Sequence, residues 1–341
     1  MLYPSTEPEL EDLLTRPGAE LIRFIGQIRE PLVVLGAGGK MGPTLCLLAR
    51  RAAEAAGRSL RIVAVSRFGT PATRQWFTDH NLETVSCDLQ DRSAMTGLPD
   101  AGDVIYLVGQ KFGTSRDPAA TWAANTIPPG LVVERYPDSR IVALSTGNVY
   151  PMVPIASGGA TESTPTTPVG EYPNAAVARE RLFEFHARRA HTPLALLRLN
   201  YAVELRYGVL HDIAARIARH EPVDVRNGWF NCLWQADANE RILRALEHAA
   251  HPPLVLNLTG PEILSVRTVA TQLAELLGHP VRFEGAEGSY ALLSNAARSL
   301  DLFGSPRVTV EEAIQRVAAW IRAGGRSLNK PTHFEVVDGR F

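Results

Sequence analysis

Residues 31–42 read Pro-Leu-Val-Val-Leu-Gly-Ala-Gly-Gly-Lys-Met-Gly, an apolar run that breaks into glycines and passes at once into an apolar helical segment. Four successive branched apolar residues suit a strand buried on both faces. Glycines at 36, 39 and 42 give G-x-x-G-x-x-G. The first lets the chain turn, the second lets backbone approach a pyrophosphate, and the third lets the helix pack on the strand. Leu45, Leu47, Leu48, Ala49 and Ala52 give that helix its apolar side, and its N-terminus attracts phosphate. A strand, glycine turn and helix in this order predict a dinucleotide cradle at Gly36, Gly39, Lys40, Met41 and Gly42.

The same alternation continues. Short runs rich in Val, Ile and Leu fall at Leu32–Leu35, Arg61–Val65, Thr84–Ser86, Asp103–Val108, Arg140–Leu144 and Leu194–Leu199, with helix-like segments at 41–56, 71–79, 118–135 and 172–190. That pattern predicts an α/β fold, a Rossmann-type doubly wound parallel sheet. Beyond residue 200 it becomes irregular, with helices expected near 208–219, 236–249, 265–277 and 309–323 and short strands near 223–225, 254–257 and 280–283. The resulting division is a helical extension over 1–30, a dinucleotide-binding domain over 31–200, a smaller substrate lobe over 201–323 and an extended tail over 324–341.

Composition narrows the classes. The 341 residues are 45% hydrophobic and 21% charged with a formal net charge of −1, so no electrostatic footprint for nucleic acid or an anionic membrane exists. No run of about 18 apolar residues occurs. The N-terminus, with Glu7, Glu9, Glu11 and Asp12, is the reverse of a secretory signal. A cytoplasmic protein is expected. Cys46, Cys87 and Cys232 are odd in number and far apart, which argues against a disulfide framework or a structural zinc site. The histidines lack the spacing of a catalytic metal site. Only three lysines, Lys40, Lys111 and Lys330, stand among 35 basic residues.

Cofactor choice is read at the end of the second strand, where a carboxylate would favour NAD and an arginine the 2′-phosphate of NADP. The strand ends Val63-Ala-Val-Ser66-Arg67 with no carboxylate. Ser66 and Arg67 together suit a phosphate, so NADP is favoured over NAD.

From about residue 31 to 323 the chain resembles the extended short-chain dehydrogenase/reductases of the nucleotide-sugar epimerase/dehydratase type. Cys87-Asp88-Leu89 matches the family's Asp-Leu pair after the third strand, whose carboxylate meets the adenine. Val104-Ile-Tyr-Leu-Val108-Gly109 resembles the fourth-strand segment beneath the cofactor, and Asn125 matches the family's helix asparagine. Ile141-Val-Ala-Leu-Ser145-Thr146-Gly-Asn148-Val-Tyr150 is similar to the fifth-strand signature that carries the catalytic hydroxyl, here Thr146. Thr161-Glu162, Pro165 and Pro168 lead into Tyr172, with Glu180 beyond. The resemblance implies that Tyr172 exchanges a proton with a substrate hydroxyl or ketone oxygen held by Thr146, that Ser145 and Asn148 lie beside the substrate, and that Tyr172 also touches the cofactor.

The family's lysine four residues after the tyrosine is absent, because position 176 is alanine. A tyrosine near its ordinary pKa of about 10 is a poor base at neutral pH. Two substitute cations are expected, Arg179 on the same helical face and Lys111 in the loop where some sugar epimerases carry a substrate-contacting lysine. Leu197-Arg198-Leu-Asn200 resembles the sixth-strand segment whose asparagine touches substrate, and Trp234 is a candidate stacking residue. The implied activity is epimerisation or oxidoreduction of a carbohydrate-like substrate, without the acid pair that dehydration needs after Thr146. An NADPH-dependent ketone or aldehyde reductase and a non-catalytic dinucleotide-binding protein are the alternatives. The helices near 118–135 and 172–190 resemble the family's homodimer interface.

Overall fold

The computed structural model describes residues 3–111, 113–114, 116–330, 332–336 and 339. Its main sheet has seven strands: β1 (Leu32–Leu35), β2 (Ile62–Ser66), β3 (Glu83–Ser86), β4 (Asp103–Tyr106), β5 (Arg140–Thr146), β6 (Leu194–Leu199) and β7 (Leu254–Leu258). They are all parallel, in the order β7-β6-β5-β4-β1-β2-β3. The order reverses between β1 and β4, and a crevice beyond the carboxyl ends of those two strands is where such sheets take ligands.

Among the described residues there are twelve α-helices: α1 (Glu7–Thr15), α2 (Ala19–Phe24), α3 (Gly42–Ala55), α4 (Pro71–Asp79), α5 (Arg92–Thr96), α6 (Pro118–Arg135), α7 (Glu171–Ala190), α8 (Val209–Ala218), α9 (Gln235–Arg244), α10 (Val266–Leu277), α11 (Ala297–Phe303) and α12 (Val310–Arg322). Side chains alternate across a strand, so Leu32 and Val34 enter one layer and Val33 and Leu35 the other. The first layer joins Leu21, Leu45, Leu48 and Ile242 from α2, α3 and α9. The second joins Val132 and Phe183 from α6 and α7. Both faces of the sheet are thereby covered, which is why its strands read as unbroken apolar runs.

A separate apolar core holds the smaller lobe, where Leu210, Ile213, Leu273, Val317 and Trp320 of α8, α10 and α12 pack together. Three boundaries differ from the expected division. The run at 254–257 is strand β7 of the main sheet, hydrogen-bonded to β6, and α9 also packs on that sheet, so the dinucleotide domain draws on residues beyond 200. The first thirty residues are no separate extension, since Leu10 and Leu14 enter the smaller lobe's core while Leu21 and Ile25 enter the sheet's. The expected tail is docked rather than extended. Arg326 pairs with Glu7 at 2.9 Å, the Leu328 amide donates to the Arg206 carbonyl, and Phe334 is buried in the lobe core. Pro331, Val337, Asp338, Arg340 and Phe341 of that segment lie outside the described residues.

The docked segment has a direct test. Phe334 is only 2% exposed, so Phe334→Ala is expected to cost about 3–5 kcal/mol of stability in urea unfolding. A freely extended tail would leave the transition unmoved.

Candidate functional site

The site begins at the glycine turn. Gly36 has φ +82°, in the left-handed region, and a Cβ there would lie 2.8 Å from a Val108 methyl carbon. The Gly36 and Ala37 amides donate to the Val65 carbonyl, which holds the turn against β2. At Gly42 a Cβ would fall 2.1 Å from the Ala37 carbonyl oxygen, so only glycine lets α3 start this close. No side chain caps α3, leaving its first amides for an anion.

Two cavities meet at this turn, sharing Gly36, Gly39 and Leu107. One, of about 170 Å³, is lined by Ser66, Arg67, Asp88, Leu89, Val108 and Gly109. Arg67 stands 3.9 Å from Asp88 and is 71% exposed at the side chain. The other, of about 250 Å³, is lined by Lys40, Met41, Gly42, Lys111, Ser145, Thr146, Asn148, Tyr172 and Asn200. The sheet's carboxyl edge thus brings together residues separated by more than 150 positions.

Thr146 ends β5, and its hydroxyl donates to Asn148 Oδ1 and accepts from the Asn148 amide, both at 3.2 Å. Tyr172 occupies the first turn of α7. Beneath them runs a buried polar network. Ser145 Oγ donates to Glu180, whose carboxylate pairs with Arg198 at 2.7 Å; Arg198 donates to the Tyr150 hydroxyl, which donates to Asn257.

Ser145 and Asn200 line the cavity with side chains already bonded to neighbours, the Ser145 hydroxyl donating to Glu180. Asn200 donates to Asn231 and Ser294 and packs on Gly147, where a Cβ would meet its Oδ1 at 1.6 Å. Trp234 is not at the cleft. It is buried in the smaller lobe under the Arg316 guanidinium, beside a different cavity, because the strand it ends pairs with Ala202–Val203 and turns the indole inward. Ala176 is fully buried among Val149, Tyr150 and Leu293. Arg179 is buried as well, donating to the Val108 carbonyl and Asn125 Oδ1, where it bolts the β4–α6 loop to α6 and α7.

Lys40 and Lys111 supply the cations that do line the cleft. The Lys40 side chain leaves the glycine turn for the opposite wall, donating to the Ala202 carbonyl at 2.7 Å and lying 3.9 Å from the Tyr207 ring centre. Burial pulls its pKa down to about 7, with Glu204 opposing. Lys111 donates to the Thr332 carbonyl at 3.2 Å, and burial pulls it down to about 8 against Glu335 and Asp212. Asp212, itself pushed up by burial, accepts from both the amide and the hydroxyl of Thr332. Tyr207 and Thr332 also line the cavity. Neither carries a sequence signal; the scarcity of lysine was the one pointer to this wall. Among the described residues no cluster of His, Cys, Asp and Glu is placed to hold a metal, and no helix is long and apolar enough to cross a membrane.

Neither a protein-family profile nor a functionally characterised protein matches the chain in sequence. Solved structures do match in fold. UDP-glucuronic acid 4-epimerase from Bacillus cereus in complex with NAD superposes with a TM-score of 0.71 at 17% identity, covering 85% of this chain and 98% of that one. UDP-glucose 4-epimerase from Thermotoga maritima with UDP-glucose gives 0.70 at 18%, covering 86% and 99%. dTDP-glucose 4,6-dehydratase from Bacillus anthracis in complex with NAD gives 0.72 at 17%, covering 85% and 96%. The chain therefore has the fold of the nucleotide-sugar epimerases and dehydratases.

The buried Lys40 ammonium opposes folding. Its pKa is about 10.4 in an unfolded chain and about 7 here, so between those values the unfolded state binds more protons and stability rises with pH. Lys40→Met should then stabilise the protein by about 1–3 kcal/mol at pH 6, net of the lost Ala202 hydrogen bond. The gain should fall by about 2–3 kcal/mol, to near zero, at pH 9, measured by urea unfolding at both pH values.

Proposed function

We propose that the protein binds a nicotinamide dinucleotide across the two cavities and uses it to oxidise or reduce a carbohydrate-like substrate at a secondary alcohol or ketone. The observation that carries this reading is the meeting of the two cavities at the glycine turn, with Thr146 and Tyr172 in the wall of the larger. Gly36, Gly39, Met41 and Gly42 would hold the pyrophosphate at the start of α3. Asp88 and Leu89 would face the adenine. Ser66 and the exposed Arg67 would receive a ribose 2′-phosphate, which favours NADP. Bound, such a cofactor supplies two-electron exchange between an alcohol and its ketone.

The chain's own residues do the rest. The Thr146 hydroxyl, steadied by Asn148, holds the reacting oxygen. The Tyr172 phenol takes or gives that oxygen's proton. Lys111 and Lys40 bring positive charge to the same cavity, in place of the family's missing lysine. Arg179 is set aside for this role because its guanidinium is engaged by Val108 and Asn125. Gly147 and Asn148 stand where dehydration would want an acid pair, so epimerisation or net redox is favoured. A reductase that exchanges NADP(H) is the second reading, motivated by Arg67.

Titration of the purified protein with NADPH and NADH, followed by nicotinamide fluorescence, tests the assignment. NADPH should bind more tightly, and Arg67→Ala should erase the difference. Tyr172→Phe should retain NADP affinity while lowering turnover about 10²–10⁴-fold. Unchanged behaviour of Tyr172→Phe would favour a non-catalytic binding protein.

We also propose a homodimer through α6 and α7. Trp122 and Ile127 of α6 and Phe185 of α7 are large apolar side chains left 37%, 44% and 52% exposed, the kind of residue that pairing covers. Ile127→Glu should convert the dimer to monomer in analytical ultracentrifugation.

A further inference from the structure

Lys40 and Lys111 are two of only three lysines in the chain, and both line one cavity with Tyr172. The Lys40 ammonium meets a carbonyl and a tyrosine ring, and no carboxylate lies within ion-pair distance among the described residues. A desolvated cation in that setting is stabilised most by an incoming anion. The wall adds a third positive element. Gly208, with φ +120°, lines the same cavity and opens α8 without a side-chain cap, so the positive end of that helix lies at the site.

Size supplies the other half of the argument. Sites for drug-sized ligands occupy about 300–1,000 Å³. Here about 250 Å³ must hold the reacting end of the dinucleotide and the substrate together. The roof is the docked C-terminal segment. Thr332 is 2% exposed, its amide and hydroxyl both donate to Asp212 at 2.7 and 2.6 Å, and its carbonyl accepts from Lys111. Phe334 anchors the strap in the lobe core, and its carbonyl accepts from Asn227 at 2.6 Å. A cavity of this size, with Thr332 in its wall, suits a sugar of a few carbons better than one carrying a nucleoside diphosphate.

We propose that the substrate is a small polyol bearing one anionic group, a carboxylate or phosphate ester seated at Lys40 and Lys111, and that the Thr332 strap excludes nucleotide-linked sugars. This rests on the dinucleotide-dependent chemistry argued above. Calorimetric titration of the full-length protein, first with NADP and then at saturating NADP with gluconate, glucose-6-phosphate, glucose and UDP-glucose, tests it. Gluconate or glucose-6-phosphate should bind, the better of the two identifying the anion, with glucose and UDP-glucose at least ~10-fold weaker. Lys40→Met should weaken the anion ~10–100-fold at saturating NADP. Lys111→Met should act in the same direction. UDP-glucose or glucose binding as well as the anions would overturn the proposal, as would an unaltered anion affinity in Lys40→Met. Saturable NADP binding with none of the four ligands bound would overturn it alone; absence of NADP binding would overturn the preceding reading too.

Discussion

The corner of the cleft that holds Thr146 and Tyr172 depends on one buried ion pair, Arg198 with Glu180. Their side chains are 4% and 1% exposed, and taking two such charges out of water costs several kcal/mol per ion. The bidentate contact, the Ser145 hydroxyl and the Tyr150 phenol satisfy most of what remains. Two apolar residues of similar size would fold at least as stably. What the pair contributes is placement. Ser145 immediately precedes Thr146 on β5, and Glu180 lies eight residues along α7 from Tyr172. Locking β5 and α7 to β6 through these four groups sets the hydroxyl and the phenol at the same cavity. Tyr150 and Asn257 extend the lock to β7, so the sheet's far edge also takes part.

Charge in the cleft follows a different plan. The helix position that would carry a lysine one turn beyond Tyr172 is Ala176, packed among apolar side chains, and the next cation on that face, Arg179, is spent on the β4–α6 loop. The two ammoniums arrive instead from loops that follow β1 and β4, the strands on either side of the point where the sheet order reverses. Both are carried to the crevice by topology rather than by helical spacing. Each is desolvated, which is why both have depressed pKa values and why an anion entering that cavity would be favoured.

Local rules made much of this legible. The runs at Leu32–Leu35 and Leu194–Leu199 are the strands β1 and β6 to the residue, because burial on both faces keeps them apolar apart from Arg198. Gly36 and Gly42 could be read because glycine is the only residue their backbone and packing admit. The run at 254–257 was recognisable as a strand, but its partner was not, since pairing is a long-range property that an apolar tetrapeptide does not encode. Trp234 misled for a related reason, whereas Ser145 and Asn200 line the cavity with side chains bonded to neighbours. A polar or aromatic residue at a strand end is equally suited to a ligand and to a neighbour, and the lobe core took the indole. The direction of the Lys40 side chain was likewise invisible, because the glycine turn fixes its backbone while the Ala202–Gly208 segment fixes its ammonium.

The C-terminal segment shows most plainly why a site of this kind exceeds its motifs. Gly-Gly-Arg-Ser-Leu-Asn-Lys lacks apolar periodicity, so nothing local holds it in place. Its order comes from single contacts with partners far away in the chain. Ser327 meets His211, Thr332 meets Asp212 and Lys111, and Phe334 enters a core built from α8, α10 and α12. Its backbone at Gly339 runs so close to Val169 and Gly170 that a Cβ would lie 2.0 Å from the Val169 carbonyl oxygen, against the glycine that opens α7 two residues before Tyr172. The strap therefore ties the smaller lobe to the helix bearing the phenol. A fold shared with nucleotide-sugar epimerases and dehydratases accounts for the sheet, while the wall of the cleft at Thr332 comes from this segment.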